Sequence, residues 1–414
     1  MVGPGDGDCQ MQDSDDAAER KLSRRRFIKL AGGSLAAGTA AVALGSAVAG
    51  LKPNVVRTAP SREPEAGAAK AGPAPPPHSE STTSDTVEAT PEHTFSIFWI
   101  TDTQFLSESN PALFRMLNNW IVDNWARLNG KLVIHTGDIV QDGPVEGEWQ
   151  NADAAMSILL ANNIPYTWCA GNHDDLVNGD ATSGWIGNQQ AQSLQPPVAS
   201  AMVNSLPYAR WVGDYHQAMN TALSFSANGL DFLVINIEWN AQPDVLQWAA
   251  GILDDPAYAN HHVIMAPHAY IDANGSLDNP RWIGQLSDFI EEFTALLDAH
   301  SSNVFLTLNG HFATECGYNT PQPINDRNQL MFDRQDCADA PGDVVGRGVD
   351  NPPPSDTDKV GGVTATVLTF DTLNNQIRAR TYDIYTGQWR TYWTEEYAVV
   401  MFPNLVPKLK VVAQ

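Results

Sequence analysis

Lys131-Leu132-Val133-Ile134-His135-Thr136-Gly137-Asp138-Ile139-Val140-Gln141-Asp142-Gly143 is the stretch on which the fold turns. An apolar run of strand length, residues 131–136, stops abruptly at Gly-Asp, and short runs bounded in this way read as strands. The same layout stands on either side of it. Residues 95–100 run into Thr101-Asp102, and residues 166–170 into Gly171-Asn172-His173-Asp174. Between them, residues 111–128 place Leu113, Leu117, Trp120, Ile121, Trp125 and Leu128 at helical spacing, with Pro111 suited to a first turn. Residues 146–162 read as a second helix. Strand–helix–strand–helix–strand predicts a mostly parallel sheet with helices packed on it. Each strand ends in a carboxylate or amide, and the carboxyl ends of such strands are where α/β sheets gather ligand-binding groups.

Farther along, residues 221–227 and 230–237 read as strands and 243–253 as a helix. A strand at 262–266 leads to Pro267-His268, a helix covers 282–299, and a strand at 303–308 leads to Asn309-Gly310-His311. Residues 362–371 and 376–383 alternate as antiparallel strands joined by Asn374-Asn375. The expected fold is α/β: a two-sheet β-sandwich flanked by helices, forming one domain over residues 94–385. Residues 176–221, rich in Gly, Asn and Gln, break the rhythm and read as an insertion with a helix or two overhanging the strand ends. Residues 386–414 are expected as an extension packed on the domain.

The 414 residues carry a formal net charge of −24, with 12 Trp, 14 Phe and 10 Tyr to fill a large core. A surface so acidic disfavours nucleic acid or anionic lipid as a standing partner, and disfavours anionic substrates unless a cation inverts the local field. Ser23-Arg24-Arg25-Arg26-Phe27-Ile28-Lys29 precedes an Ala-, Gly-, Leu- and Val-rich run. This charged-then-apolar layout predicts a signal peptide over residues 1–49, resembling the twin-arginine type, with cleavage near Ala49; the alternative is a retained anchor. Export, to the periplasm, cell envelope or exterior, then engages machinery for folded proteins. Residues 50–93, rich in Pro and Ala, read as a disordered linker. The four cysteines, Cys9, Cys169, Cys316 and Cys337, are too few for a disulfide scaffold. Cys169 reads as a buried thiol, and Cys316 with Cys337 as a plausible pair.

Hydrolysing a phosphate ester requires neutralising anionic oxygens and activating water, which paired divalent cations do. The residue types needed, carboxylates, amides and imidazoles, stand where these strands stop. Glycine ahead of Asp138, Asn172 and His311 lets the chain turn sharply beside a ligand. Asp102-Thr103-Gln104, Gly137-Asp138 through Asp142, Gly171-Asn172-His173-Asp174, His268 and Gly310-His311 together resemble, in order, the motifs of the calcineurin-like metallophosphoesterase family. Glu238 ahead of Gln247-Trp248, and Arg334-Gln335, resemble a bacterial branch of it. The resemblance covers about residues 95–385 and implies the αββα sandwich of that family. It implies an exported phosphoesterase acting on phosphomono- or phosphodiesters by attack of metal-bound hydroxide. Carried over by position, Asp138 bridges two metals, Asn172, His268 and His311 complete one site, and Asp102 with Gln104 belongs to the other. His173, with Asp142 and Asp174, takes the catalytic positions facing the scissile oxygen.

Two departures weaken the second site. Gln104 stands where the family more often has His, and Ala313 where it has the second His of Gly-His-x-His. The expected cofactors are therefore one firmly held cation (Zn, Fe or Mn) and a weaker one (Mn, Mg or Ca) on oxygen ligands. Glu315 is a conceivable substitute. The alternative function is a catalytically weakened binding protein on the same scaffold at the cell envelope. A serine hydrolase is disfavoured, since no Gly-x-Ser-x-Gly elbow is present. Of the remaining histidines, His135 reads as packed core, His261, His262 and His300 as surface, and His216 as a loop residue within reach of substrate. Trp185 and Trp211 are candidates to line a pocket. Oligomeric state and substrate identity are not legible.

Overall fold

Thr94–Ile100, sequence TFSIFWI, is buried along its whole length, so it must be covered on both faces, as its unbroken apolar run requires. In the computed structural model, which describes residues 93–174, 192–272, 275–277, 283–312, 327–333, 363–384, 387–389 and 400–401, this strand, β1, lies inside a seven-stranded sheet. Helices α1 (Gln104–Ser109) and α2 (Pro111–Trp125) follow, then β2 (Gly130–His135), α3 (Glu146–Ala161) and β3 (Tyr166–Trp168). β1, β2 and β3 are parallel. On its other side β1 pairs antiparallel with β10 (Thr364–Asp371), and β10 with β11 (Gln376–Asp383). Two short strands, β12 (Gln388–Trp389) and β13 (Val400–Met401), both pair with β11. In this way described parts of the C-terminal segment join the sheet.

The second sheet has six strands, in the order β4 (Ala209–Tyr215), β5 (Asn220–Ala227), β6 (Leu230–Ile237), β7 (His262–Pro267), β8 (Val304–Asn309) and β9 (Asn328–Met331). Its first three strands are antiparallel and its last four parallel. A phenylalanine cluster joins the sheets. Phe95 of β1 stacks on Phe370 of β10 at 4.8 Å and meets Phe232 of β6 at 5.2 Å, while Phe225 of β5 stacks on Phe232 at 5.0 Å. Burying each such ring is worth ~1.5–3 kcal/mol. Outside the first sheet, Phe98 stacks on Trp125 of α2 at 5.5 Å. Outside the second, α5 (Pro243–Leu253) and α6 (Ile283–Ala299) bury Val245, Leu246, Phe289 and Phe293. The fold is the expected two-sheet α/β sandwich with flanking helices.

Of the expected insertion at residues 176–221, residues 192–221 are described. Pro196–Ser205 is indeed a helix, α4, and buries Ala199, Met202 and Val203. Residues 209–215, however, are β4, an edge strand paired to β5. Its Gly213 sits at a shift of register beside Trp211, which is why Ala-Arg-Trp-Val-Gly-Asp-Tyr does not alternate like a strand. Trp211 packs on Trp168 of β3 at 5.6 Å instead of standing over the strand ends. Trp185 lies outside the described residues, and so do Ala313, Glu315, Cys316, Arg334, Gln335 and Cys337.

At the carboxyl ends of the parallel strands the sheets are linked by polar contacts. Thr167 donates to Asn236 Oδ1 at 3.1 Å, and Asn236 Nδ2 donates to the His135 carbonyl at 3.1 Å. One rung beyond, Trp239 N donates to the Ala170 carbonyl at 3.0 Å. The strand ends of both sheets therefore converge in one place.

Candidate metal centre

The strand exits carry unusual backbone. Asp102 (φ 51°), Asp138 (φ 52°) and His311 (φ 71°) are L residues in the left-handed region, where strain collects at functional sites. Of the glycines ahead of Asp138, Asn172 and His311, only Gly137 has a positive φ, 97°. Gly171 and Gly310 serve a different purpose. A Cβ on Gly171 would collide with the Asp138 carboxylate, and one on Gly310 with the Asp102 carboxylate and the Thr101 hydroxyl. Close approach, more than a sharp turn, requires glycine at both.

Asp138, His268 and His311 offer ligand atoms that all lie within 4.8 Å of one another. His268 is wholly buried, and its Nδ1–H donates to the Thr136 carbonyl at 2.7 Å. That bond fixes the tautomer and aims Nε2 into the cluster. Nε2 then stands 3.2 Å from Asn172 Oδ1, 3.2 Å from His311 Nδ1 and 3.5 Å from Asp138 Oδ1. A proton on Nε2 can serve only one of these neighbours, whereas a divalent cation among them serves four electron-pair donors at once. Carboxylate, amide oxygen and two imidazoles suit a borderline transition metal, so the donor set fits such an ion. Without a cation, the negative charge of the cluster draws a proton onto His268, which a metal ion would have to displace. Burial opposes charge on His268, but the adjoining Asp138 outweighs it and raises the pKa to about 9. Burial and the charge of His268 push His311 down to about 3. Asp138 lies well below the usual carboxylate range, because His268 and His173 overcome its burial.

Asp102 is engaged differently. Both of its carboxylate oxygens accept the His311 N–H at 3.1 Å, and Oδ2 also accepts the Thr101 hydroxyl at 2.5 Å. Thr136 donates to Thr101 at 2.6 Å, and the Trp99 indole N–H donates to Thr136 at 3.0 Å. Burial, with the charges of Asp333 and Asp138, pushes the Asp102 pKa well above the ordinary range. Its first task is thus to hold the left-handed His311 in place. Gln104 is buried beside Asp138, its Nε2 donating to Asp138 Oδ2 at 3.5 Å.

The three residues expected at catalytic positions separate. His173 is partly exposed, its backbone N–H donates to Asp138 Oδ1 at 2.9 Å, and its Nδ1 donates to the Gln141 carbonyl at 2.9 Å. Burial disfavours its charged form, but Asp138, the Gln141 carbonyl and Asp174 raise the pKa above the ordinary value. Asp142 is exposed, and its backbone N–H donates to Glu148. Asp174 is fully buried and accepts backbone N–H bonds from Ile139, Val140 and Gly171 at 2.7, 2.9 and 2.7 Å. The Asp174 carboxylate is thus taken up by backbone donors and braces the loops that carry Asp138 and Asn172.

Several supporting residues were not legible in the sequence. Glu148, in the first turn of α3, accepts from Gln141 N and Asp142 N at 2.7 and 2.9 Å, and so shapes the loop that holds His173. Trp239 lays its ring 4.3 Å from that of His311 and 5.9 Å from His268. Its place at the end of a parallel strand was the available signal. His135 is a buried, neutral core residue as expected. Gly137 N donates to its Nδ1 at 3.1 Å, so Nε2–H faces Thr103 Oγ1 at 2.9 Å. His262 departs from expectation: it is 3% exposed and sits between Phe232 and Phe305, because its strand is covered on both sides. Cys169 is buried and unbridged, and burial raises its thiol pKa.

Residues 95–284 match the model of the family described as calcineurin-like phosphoesterase. That span contains Asp102, Asp138, Asn172 and His268 and stops before His311. The uncharacterized protein YvnB of Bacillus subtilis (strain 168) is 27% identical over 306 residues, which is 73% of this chain. The chain spans about a fifth (21%) of that relative's length. Among solved structures, GAP50 of Plasmodium, described as the anchor in the inner membrane complex, aligns over 75% of this chain and 90% of its own, with 13% identity and a TM-score of 0.43. The protein TT1561 of Thermus thermophilus aligns over 72% and 97%, with 11% identity and a TM-score of 0.35.

Proposed function

We propose, starting from the match of residues 95–284 to the calcineurin-like phosphoesterase model, that the chain hydrolyses phosphomono- or phosphodiesters with one firmly held divalent cation. The observation that carries this reading is the convergence of Asn172, His311 and Asp138 on His268 Nε2. A cation bound there, Zn, Fe or Mn by the donor set, would neutralise phosphoryl oxygens and activate water. The protein's own part begins with Asp138, Asn172, His268 and His311 holding that ion. Trp239 and Phe312, whose rings lie 4.3 and 4.8 Å from His311, keep the imidazole edge away from bulk water. His173 has its Nδ1–H committed to the Gln141 carbonyl, which leaves Nε2 as the ring atom that would carry the proton a leaving oxygen requires. Asp142, exposed at the rim, is the carboxylate available to orient incoming solvent.

A second, weaker cation (Mn, Mg or Ca) would rest on Asp102, Asp138 and Gln104, oxygen donors only. Asp102's bonds to His311 and Thr101, together with Ala313 in the sequence, favour a second reading: a weakened enzyme used for binding at the cell envelope. Hydrolysis of bis-p-nitrophenyl phosphate across a metal panel separates the two, with Asp138→Asn as control. Metal-dependent turnover that this substitution abolishes supports the enzyme, and turnover equal in both proteins removes it. The Arg-rich Ser23–Lys29 stretch supports export in the folded state, with residues 50–93 as a spacer and cleavage near Ala49. Loss of export on replacing Arg24, Arg25 and Arg26 by Lys would agree with that route; unchanged export would exclude it.

A further inference from the structure

The turn between β4 and β5 is built from backbone that L residues avoid. His216, Gln217 and Ala218 follow one another at φ 48°, 53° and 70°. Each such conformation costs roughly 1–2 kcal/mol, and no glycine relieves it. The side chain of His216 holds the turn. Its Nδ1 lies 2.9 Å from Glu238 Oε1 and its Nε2 3.1 Å from Asp244 Oδ2. Ionised carboxylates only accept hydrogen bonds, so both ring nitrogens donate and His216 is an imidazolium between two anions.

The surroundings of this ion are complete. Glu238, at the exit of β6, has a wholly buried side chain whose Oε2 accepts from Asn220 of β5 at 2.7 Å. Asp244, in the first turn of α5, also accepts the Tyr215 hydroxyl at 3.1 Å. The Tyr215 ring stacks on His216 at 4.7 Å. Among the described residues, these two carboxylates are the charged groups that pair with His216. The Glu238 hydrogen bond, against partial burial of the ring, raises the His216 pKa and extends its charged range upward.

The other side of the turn is fastened to the strand exits. The Ala218 carbonyl accepts the Trp168 indole N–H at 2.8 Å, and the Met219 carbonyl accepts Ala170 N at 2.9 Å. Ala170 leads directly into Gly171-Asn172, and its carbonyl accepts Trp239 N at 3.0 Å. Trp239 follows Glu238 and lies on His311.

We propose that His216, bonded to Glu238 and Asp244, is a positioning residue for the metal centre: it locks the β4–β5 turn, which fixes the β3 exit bearing Asn172 and the β6 exit bearing Trp239. This rests on the cation-binding reading given above. The effect is carried by an imidazolium, so it is lost as pH rises through the raised pKa of His216. A neutral ring has only one donor for two carboxylates.

The test is the affinity of the full chain for Mn(II), measured by calorimetry for the wild type and His216→Gln between about pH 7 and about pH 9.5. Near neutrality the variant should bind about 10-fold or more weakly. The gap should close as pH rises, because the wild type then loses the same bond. Ligand protonation affects both proteins alike and cancels in the ratio. Glu238→Gln, which keeps the volume and removes the charge, should also bind weakly, with circular dichroism confirming that each variant is folded. Equal affinities near neutrality, or a gap that does not change with pH, would overturn the proposal. If the wild type itself binds no Mn(II) at any pH, the failure lies with the cation-binding reading.

Discussion

Asp102 and Asp138 end neighbouring parallel strands in nearly the same left-handed conformation, and both are buried. Their chemistry nevertheless diverges. Asp138 faces three imidazoles, all of which help to hold its pKa low, while Asp102 faces a backbone N–H, a hydroxyl and the charge of Asp333, and burial first of all pushes its pKa up. Backbone geometry alone does not make a strand-end aspartate a ligand; what matters is whether the groups around it leave its lone pairs to a cation or take them for structure. The same contrast separates His268, aimed into the cluster through Thr136, from His135, whose two nitrogens are used by Gly137 and Thr103.

Four substitutions press on that comparison, in decreasing order of effect. Asp138→Asn should lower metal-dependent phosphodiester hydrolysis by roughly a thousand-fold, ~4 kcal/mol, measured as kcat/KM at saturating metal. A loss under ten-fold would mean that Asp138 is not central. His135→Gln should change acid stability. The folded His135 has a pKa of about 3 against an ordinary 6.5, so within that window the unfolded chain binds more protons. Stability is therefore lost as pH falls, by up to roughly 5 kcal/mol from this ring. Urea unfolding at several pH values should show a shallower acid slope in the variant, and identical slopes would refute the assignment. Gly310→Ala should destabilise by ~2 kcal/mol, since its Cβ presses on Asp102 and Thr101; an unchanged urea midpoint would show that the loop yields freely. Asp102→Asn should weaken tight metal binding by only about ten-fold, acting through His311. A loss as large as that of Asp138→Asn would erase the distinction between the two.

The sandwich was legible because its parallel strands announce themselves twice, by an apolar run and by the polar residue that ends it. Leu230–Ile237, Pro243–Leu253 and Gln376–Asp383 have the expected bounds. β4 and β9 were not legible, the first because Gly213 and a register shift interrupt its alternation, the second because Asn328–Met331 is only four residues long. The candidate ligands could be read from position. Their division of labour could not, because it depends on which lone pairs are already taken: by Ile139, Val140 and Gly171 at Asp174, or by His311 at Asp102. Nor could pattern reveal the His216–Glu238 pair as a support, since it acts through partners distant in sequence.

Crystals soaked in Mn(II) and measured for anomalous scattering test the metal centre most directly. The expected result is one dominant peak within bonding distance of Asp138, Asn172, His268 and His311, absent in Asp138→Asn, with at most a weaker peak toward Asp102 and Gln104. No peak at His268, or two equally occupied peaks, would contradict it.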